Sequence, residues 1–216
     1  GPGSDYGRSI AVSSNRYLYM TGSYEGILKF NGFALGSYGQ SDAYFARLSF
    51  IAATTNFYNT VRVNVGGAAY LDSRGYQWAA DNTANTVKGT ISSSANAVSN
   101  TTDQALYQVY RYAATPGQDM VNVYSLTNGV YILTLHFAEM YAPVGSIGKR
   151  VFDIKVDGVT VLANMDIFKE AGLYTAITKS FQVTVTSGNV EIRGVHVVQN
   201  PVICAVDFVP VPPVIP

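Results

Sequence analysis

Apolar and polar residues alternate with a period of two along much of this chain. Phe181, Val183 and Val185 interleave with Gln182, Thr184 and Thr186, the pattern of a strand with one buried face. Ser187-Gly188-Asn189 breaks the pattern and Val190 and Ile192 resume it, which predicts a hairpin. Phe152, Ile154 and Val156 alternate with Asp153, Lys155 and Asp157. Asp157-Gly158 suits a two-residue turn, where both central residues take positive φ, so a second hairpin with Val159 and Val161 follows. Tyr131 to Phe137 differs, because Tyr131, Leu133, Leu135 and Phe137 make one apolar row and Val130, Ile132 and His136 another. That is expected of a central strand covered on both sides. Short strands at this spacing, without a long amphipathic helix, predict an all-β antiparallel sandwich.

Two stretches stand apart from this pattern. Residues 82–102, NTANTVKGTISSSANAVSNTT, are too poor in apolar side chains to pack alone and predict a long surface loop. Asn100-Thr101-Thr102 within it matches a glycosylation sequon, which so Asn- and Thr-rich a segment produces by chance. From Asp5 to Phe50, four apolar runs (SIAV, YLYM, ILKF and AYFARL) predict four strands, the content of one propeller blade. A lone blade cannot bury both faces. It packs on the sandwich, pairs with another molecule or stays marginal, and packing on the sandwich is the expectation.

Composition narrows the functional classes. Of 216 residues 48% are hydrophobic and 13% charged, with zero formal net charge, so the chain carries no electrostatic footprint for nucleic acid or an anionic membrane. No apolar run approaches the ~20 residues of a membrane span, and membrane insertion is not expected. The one cysteine, Cys204 in VICAVDF, excludes an internal disulfide and reads as a small buried hydrophobe. Sixteen tyrosines offer flat apolar faces with hydroxyls attached, which suits strand packing and sugar recognition alike.

In order along the chain, VRVNVGG, YLDSRGYQWAAD, LYQVYRY, LHFAEMY, KRVFDIKVDG, NMDIFKEAG and QNPVICAVDF span residues 61–209. This series resembles the malectin-type sugar-binding domains. The resemblance implies a jelly-roll β-sandwich that binds oligosaccharides, often glucose-containing ones, without cleaving them. Residues 5–50 are similar to a bacterial β-propeller repeat reading D-Y-G-x-S-I-A-V, Y-x-T-G and G-x-D-A-x-x-A-x-L. In the malectin family the ligand contacts are an aromatic ending L-Y-Q-x-x-R-Y, aromatics after F-A-E, and a polar residue before N-P. The matching positions are Tyr112, Tyr141 with Ala142, and Gln199 before Asn200 and Pro201. Ala142 stands where the animal lectin has a second aromatic and Gln199 where it has a carboxylate, while a tyrosine expected between Asp81 and Leu106 is absent.

Each candidate also has a structural reading. Tyr141 ends a strand and could cap the core, yet it sits beside Pro143 and Gly145 in a loop; Tyr112 follows strand alternation; Gln199 could only brace the Asn200-Pro201 turn. Glu139 belongs to the candidate carbohydrate-binding set of Tyr112, Tyr141, Gln199, Asn200 and Glu139, and also reads as an acceptor for loop amides. Tyr76 and Trp78 read as core, and Gly66, Gly67 and Gly75 as turn glycines. A glycosidase needs two carboxylates flanking one bond. Among Glu139, Asp153, Asp157 and Asp166, alternation sends Asp153 and Asp157 away from the Phe152 row, so catalysis is not expected. His136, His196 and Cys204 are too scattered for a zinc site. No cofactor is expected, although loop carboxylates and carbonyls are compatible with a structural calcium ion.

The expectation is a non-catalytic carbohydrate-binding module of a larger secreted or cell-surface protein, bacterial in type, with neighbouring domains. A protein-interaction, adhesion or spacer module with the same fold is the alternative. The expected order is a tag-like GPGS remnant at 1–4, a blade-like segment at 5–50, a linker at 51–60, the sandwich at 61–209 and a proline-rich linker at 210–216.

Overall fold

The computed structural model describes residues 6–12, 17–24, 27–30, 33–36, 42–49, 60–81, 86–113, 115 and 117–211. The GPGS remnant, most of the 51–60 linker and all of the proline-rich tail beyond Val211 lie outside the described residues. The chain divides into two compact units, Gly1–Asn56 and Phe57–Pro216.

The first unit holds β1 (Tyr6–Val12), β2 (Tyr17–Tyr24), β3 (Ile27–Phe30), β4 (Phe33–Gly36) and β5 (Asp42–Ser49). Among the described residues these strands fall into two sheets, not one four-stranded blade. β2 lies between β1 and β5, with Met20 opposite Ile10 on one side and Ala46 on the other, while β3 and β4 make a separate two-stranded ribbon. The four apolar runs became β1, β2, β3 and β5. β4, the sequence FALG, is not among the predicted runs.

The second unit contains β6 (Val61–Asn64), β7 (Tyr70–Leu71), β8 (Gln77–Ala80), β9 (Thr86–Lys88), β10 (Thr90–Ser93), α1 (Ala105–Gln108), β11 (Val109–Tyr112), β12 (Met120–Ser125) and β13 (Gly129–Phe137). β14 (Val151–Val156), β15 (Val159–Met165), α2 (Ile167–Ala171), β16 (Ile177–Val185), β17 (Asn189–Val198), β18 (Val202–Ile203) and β19 (Ala205–Pro210) complete it. Three sheets result, ordered β16-β13-β19-β6-β8-β7, β15-β14-β17-β12-β9 and β10-β11-β18. Between these strands pairing is antiparallel apart from β6 with β8, and two isolated bridges, Ser99 with Thr175 and Glu139 with Leu173, are also parallel.

The alternating rows meet in one core. Tyr131, Leu133, Leu135 and Phe137 of β13 are fully buried, as are Phe152 and Ile154 of β14. Rings from the two large sheets touch across the sandwich, Phe137 with Phe152 at 6.0 Å and Tyr124 with Phe208 at 5.5 Å between centroids. Each such side chain contributes about 1.5–3 kcal/mol by leaving water. β13 is central, flanked by β16 and β19. The Asp157-Gly158 turn joins β14 to β15 with both residues at positive φ, 47° and 81°.

Three expectations are corrected. β16 and β17 do not form a hairpin: β16 pairs with β13 and β17 with β12 and β14, so Ser187-Gly188-Asn189 carries the chain from one sheet to the other. Both strands bury one face into the shared core, and alternation alone cannot say which strand lies alongside. Within residues 82–102, β9 pairs with β12 and β10 with β11, and Val98 is buried; backbone hydrogen bonding builds strands here despite the polar composition. Tyr76 is not in the core. It is exposed, with the Arg62 guanidinium 4.2 Å and that of Arg74 5.2 Å from its ring centroid, whereas Trp78 is fully buried. The sequon asparagine, Asn100, uses its side-chain amide to donate to the Ala176 carbonyl at 2.9 Å, so it serves the fold.

Candidate functional site

The small sheet places the tyrosines. β11 runs between β10 and β18, with Ser92 opposite Tyr110 and Val202 opposite Tyr112. Alternation turns Tyr110 and Tyr112 to one face, where their rings stand 6.4 Å apart. Arg111 points the other way and pairs with Asp81, whose carboxylate also accepts from the Gly66 amide at 2.8 Å. That buried pair fixes the strand from behind.

Because Val202 lies beside Tyr112, the Gln199-Asn200-Pro201 loop arrives at the same edge. The loop sits close on β17, where a Cβ at Gly194 would stand 2.7 Å from that of Pro201, so only glycine admits the approach. Gln199 holds φ at 59°, in the left-handed region, and its side-chain oxygen accepts from the Asn200 amide at 3.0 Å. A non-glycine residue held there stores roughly 1–3 kcal/mol of strain.

From the other side comes the loop after β13. Glu139 is buried; its Oε1 accepts from the Tyr141 amide at 3.0 Å, and its Oε2 accepts from Arg150 Nε at 2.7 Å. Arg150 Nη1 donates to the Asn200 carbonyl. One ion pair therefore ties the Tyr141 loop to the Gln199 loop. Tyr141 caps the 3-10 turn Ala142–Val144 and is 48% exposed.

These elements enclose a cavity of about 270 Å³ lined by Ser92, Tyr110, Tyr112, Tyr141, Arg150, Gln199 and Asn200. Four of the five sequence candidates, Tyr112, Tyr141, Gln199 and Asn200, come together in its wall. Glu139 does not. It stands behind Arg150 with its carboxylate occupied, so it positions the site and does not face it. Ala142 is exposed outside the wall. Tyr110, Ser92 and Arg150 were missed; strand alternation from Tyr112 could have found Tyr110, but Ser92 and Arg150 depend on pairing that no local pattern carries.

Among the described residues, no carboxylate lines the cavity. Asp153 accepts from the Asn164 amide at 2.7 Å, Asp157 from that of Glu191 at 2.8 Å, and Asp166 caps α2 through the Lys169 amide at 2.9 Å. His136 lies in a different recess, beside Trp78 and Tyr107. Among the described residues, no group of three or more His, Cys, Asp or Glu is placed to hold a metal ion, and no helix is long and apolar enough to cross a membrane.

Residues 59–207 match the family model of the malectin domain. The chain belongs to the malectin family. Malectin-A of Xenopus laevis is 32% identical over 140 residues, 61% of this chain and 48% of its own length, so the chain spans about half the length of that relative. The solved ectodomain of ANXUR2 from Arabidopsis thaliana superposes with a TM-score of 0.63 at 18% identity, over 74% of this chain and 51% of that one. A β-glucuronidase of Bacteroides uniformis gives a TM-score of 0.63 at 17% identity, over 92% of this chain and 23% of the enzyme, a likeness of fold alone.

Proposed function

We propose that this malectin domain is a non-catalytic carbohydrate-binding module of a secreted or cell-surface protein, and that the tyrosine-lined cavity takes the ligand. The observation that carries the reading is the wall itself: three tyrosines with two carboxamides, around 270 Å³. Tyrosine rings offer flat surfaces to the C–H faces of a pyranose, and carboxamides both donate and accept toward its hydroxyls. Small-molecule sites usually run from about 300 Å³ upward, and this cavity lies just under that bound, so it suits a ligand of only one or two sugar rings. Arg150, the one cation among its described lining residues, is neutralised by Glu139 from behind, which favours an uncharged glycan such as a glucose-containing one. Hydrolysis is not expected, because neither a titrating acid nor a carboxylate pair faces the space.

A glycan array probed with the protein and with Tyr141→Ala tests this. Selective binding of neutral glycans by the wild type and its loss in the variant is the expected result. Absence of binding to any glycan would overturn the reading in favour of a protein-interaction module.

A further inference from the structure

A second recess, of about 330 Å³, shares no lining residue with the tyrosine-lined cavity. Its floor is aromatic: Trp78, Tyr107 and His136 are all buried, and the imidazole stands edge-on to the indole at 5.2 Å and 89°. The Tyr107 hydroxyl meets His136 Nδ1 at 2.9 Å. Burial holds the imidazole pKa down at about 4, so at neutral pH the ring carries a single N–H. With the Tyr107 hydroxyl donating to Nδ1, the ring's own N–H stands on Nε2. No described residue accepts from Nε2. The indole N–H, by contrast, is taken by Asp72 Oδ2 at 3.1 Å. His136 thus brings one unspent donor to the floor of an aromatic recess.

The charges in the wall argue against an ionic occupant. Arg74 reaches toward Asp72 at 3.4 Å, and the Asp103 carboxylate shares the wall, so an anion meets a negative neighbour. A cation fares no better, because Asp103 is saturated: Oδ1 accepts from Tyr70 Oη at 3.0 Å and the Ser73 amide at 2.7 Å, and Oδ2 from Ser73 Oγ at 2.9 Å and Thr102 Oγ1 at 3.3 Å. What the recess does offer is hydroxyls on its wall, among them exposed Thr178, which lies opposite His136 in the β13–β16 pairing.

We propose that this recess is a second binding site, for a small uncharged polyhydroxylated molecule of the size of one hexose, with His136 Nε2–H donating to a ligand oxygen and Thr178 bonding a ligand hydroxyl. The inference stands independently of the ligand assigned to the tyrosine-lined cavity.

Trp78 is the single tryptophan of the chain, so its indole N–H gives one isolated nuclear magnetic resonance signal that reports on this recess. Titration of the full chain with glucose, galactose and mannose at neutral pH is the experiment. At least one sugar is expected to shift that signal saturably. Thr178→Phe, a surface change that plugs the mouth, and His136→Phe, which removes the donor, should each weaken the response about tenfold, the order of one lost hydrogen bond. Tyr112→Ala with Tyr141→Ala should leave it unchanged. Absence of a saturable shift with all three sugars, or a shift that survives Thr178→Phe in a folded protein, would overturn the site. A shift lost with the two tyrosines would show a single site sensed at a distance, and a response to sodium acetate or glucuronate but not to the neutral sugars would overturn the uncharged class.

Discussion

Arg150 and Glu139 meet as a buried ion pair, with side-chain exposures of 6% and 1% and Nε 2.7 Å from Oε2. Each also holds a loop: Glu139 accepts from the Tyr141 amide and Arg150 donates to the Asn200 carbonyl. Two loops far apart in sequence are thereby held at one spacing.

Breaking this pair should be expensive. Glu139→Ala leaves a buried guanidinium without its counter-charge, and a loss of about 3–5 kcal/mol in urea unfolding is expected. The double change Glu139→Leu with Arg150→Met should recover much of that stability, since two apolar groups replace two desolvated charges. It should not recover ligand affinity, because neither loop keeps its tether. A single-variant loss under about 1 kcal/mol, the range of a surface pair, would show that the pair is not buried in solution.

Tyr141 and Tyr112 should separate binding from stability. Tyr141 is half exposed and held by its backbone, so Tyr141→Ala should abolish glycan binding while changing stability by less than about 0.5 kcal/mol. Tyr112 packs partly against the core and against Tyr110, and Tyr112→Ala should lower both binding and stability, the latter by about 1–3 kcal/mol. Thermal melts alongside the array check both; equal destabilisation by the two variants would place Tyr141 in the core.

What the sequence made legible follows the range of each signal. Period-two alternation marked β13, β14 and β16 and their buried rows, because each row is written in one strand. The Asp157-Gly158 turn was legible for the same reason, since its geometry is local. Strand partners were not, as β16 and β17 demonstrate: adjacent in sequence, they belong to opposite sheets. β9 and β10 were hidden because their residues are polar and their stability comes from ladder bonds to β12 and β11. The candidate site divides in the same way. Tyr112, Tyr141, Gln199 and Asn200 could be picked from motifs, whereas Ser92 enters only through its register opposite Tyr110, and the distinction between Glu139 behind the wall and Arg150 in it required three dimensions.

Cys204 offers a direct measure of core integrity. Its side chain is fully buried, and burial pushes the thiol up to about 12, so almost no thiolate exists at neutral pH. A disulfide-exchange reagent should leave the native protein untouched and titrate one thiol after unfolding in guanidinium. Rapid reaction of the native chain would mean that β18 and β19, which flank the cysteine, open readily.

His136 should make stability depend on pH in a defined window. Burial lowers its pKa from 6.5 to about 4, so above 6.5 both folded and unfolded chains leave the ring neutral and stability is complete. Between 6.5 and 4 the unfolded chain takes up a proton that the native state refuses, and stability falls by up to roughly 3 kcal/mol as the pH drops. Below 4 both forms are protonated and this contribution is flat. Asp72 adds a loss of the same sign at lower pH: burial alone would raise its pKa, but hydrogen bonds from Trp78, Tyr76 and Arg74 hold it below the ordinary carboxylate value. Asp207 acts in the opposite sense, because burial raises its pKa more than Arg62 lowers it. His136→Gln isolates the imidazole from both. Urea unfolding of wild type and variant between pH 4 and 7 should give curves that converge as the pH falls; parallel curves would mean that burial does not hold the imidazole pKa down.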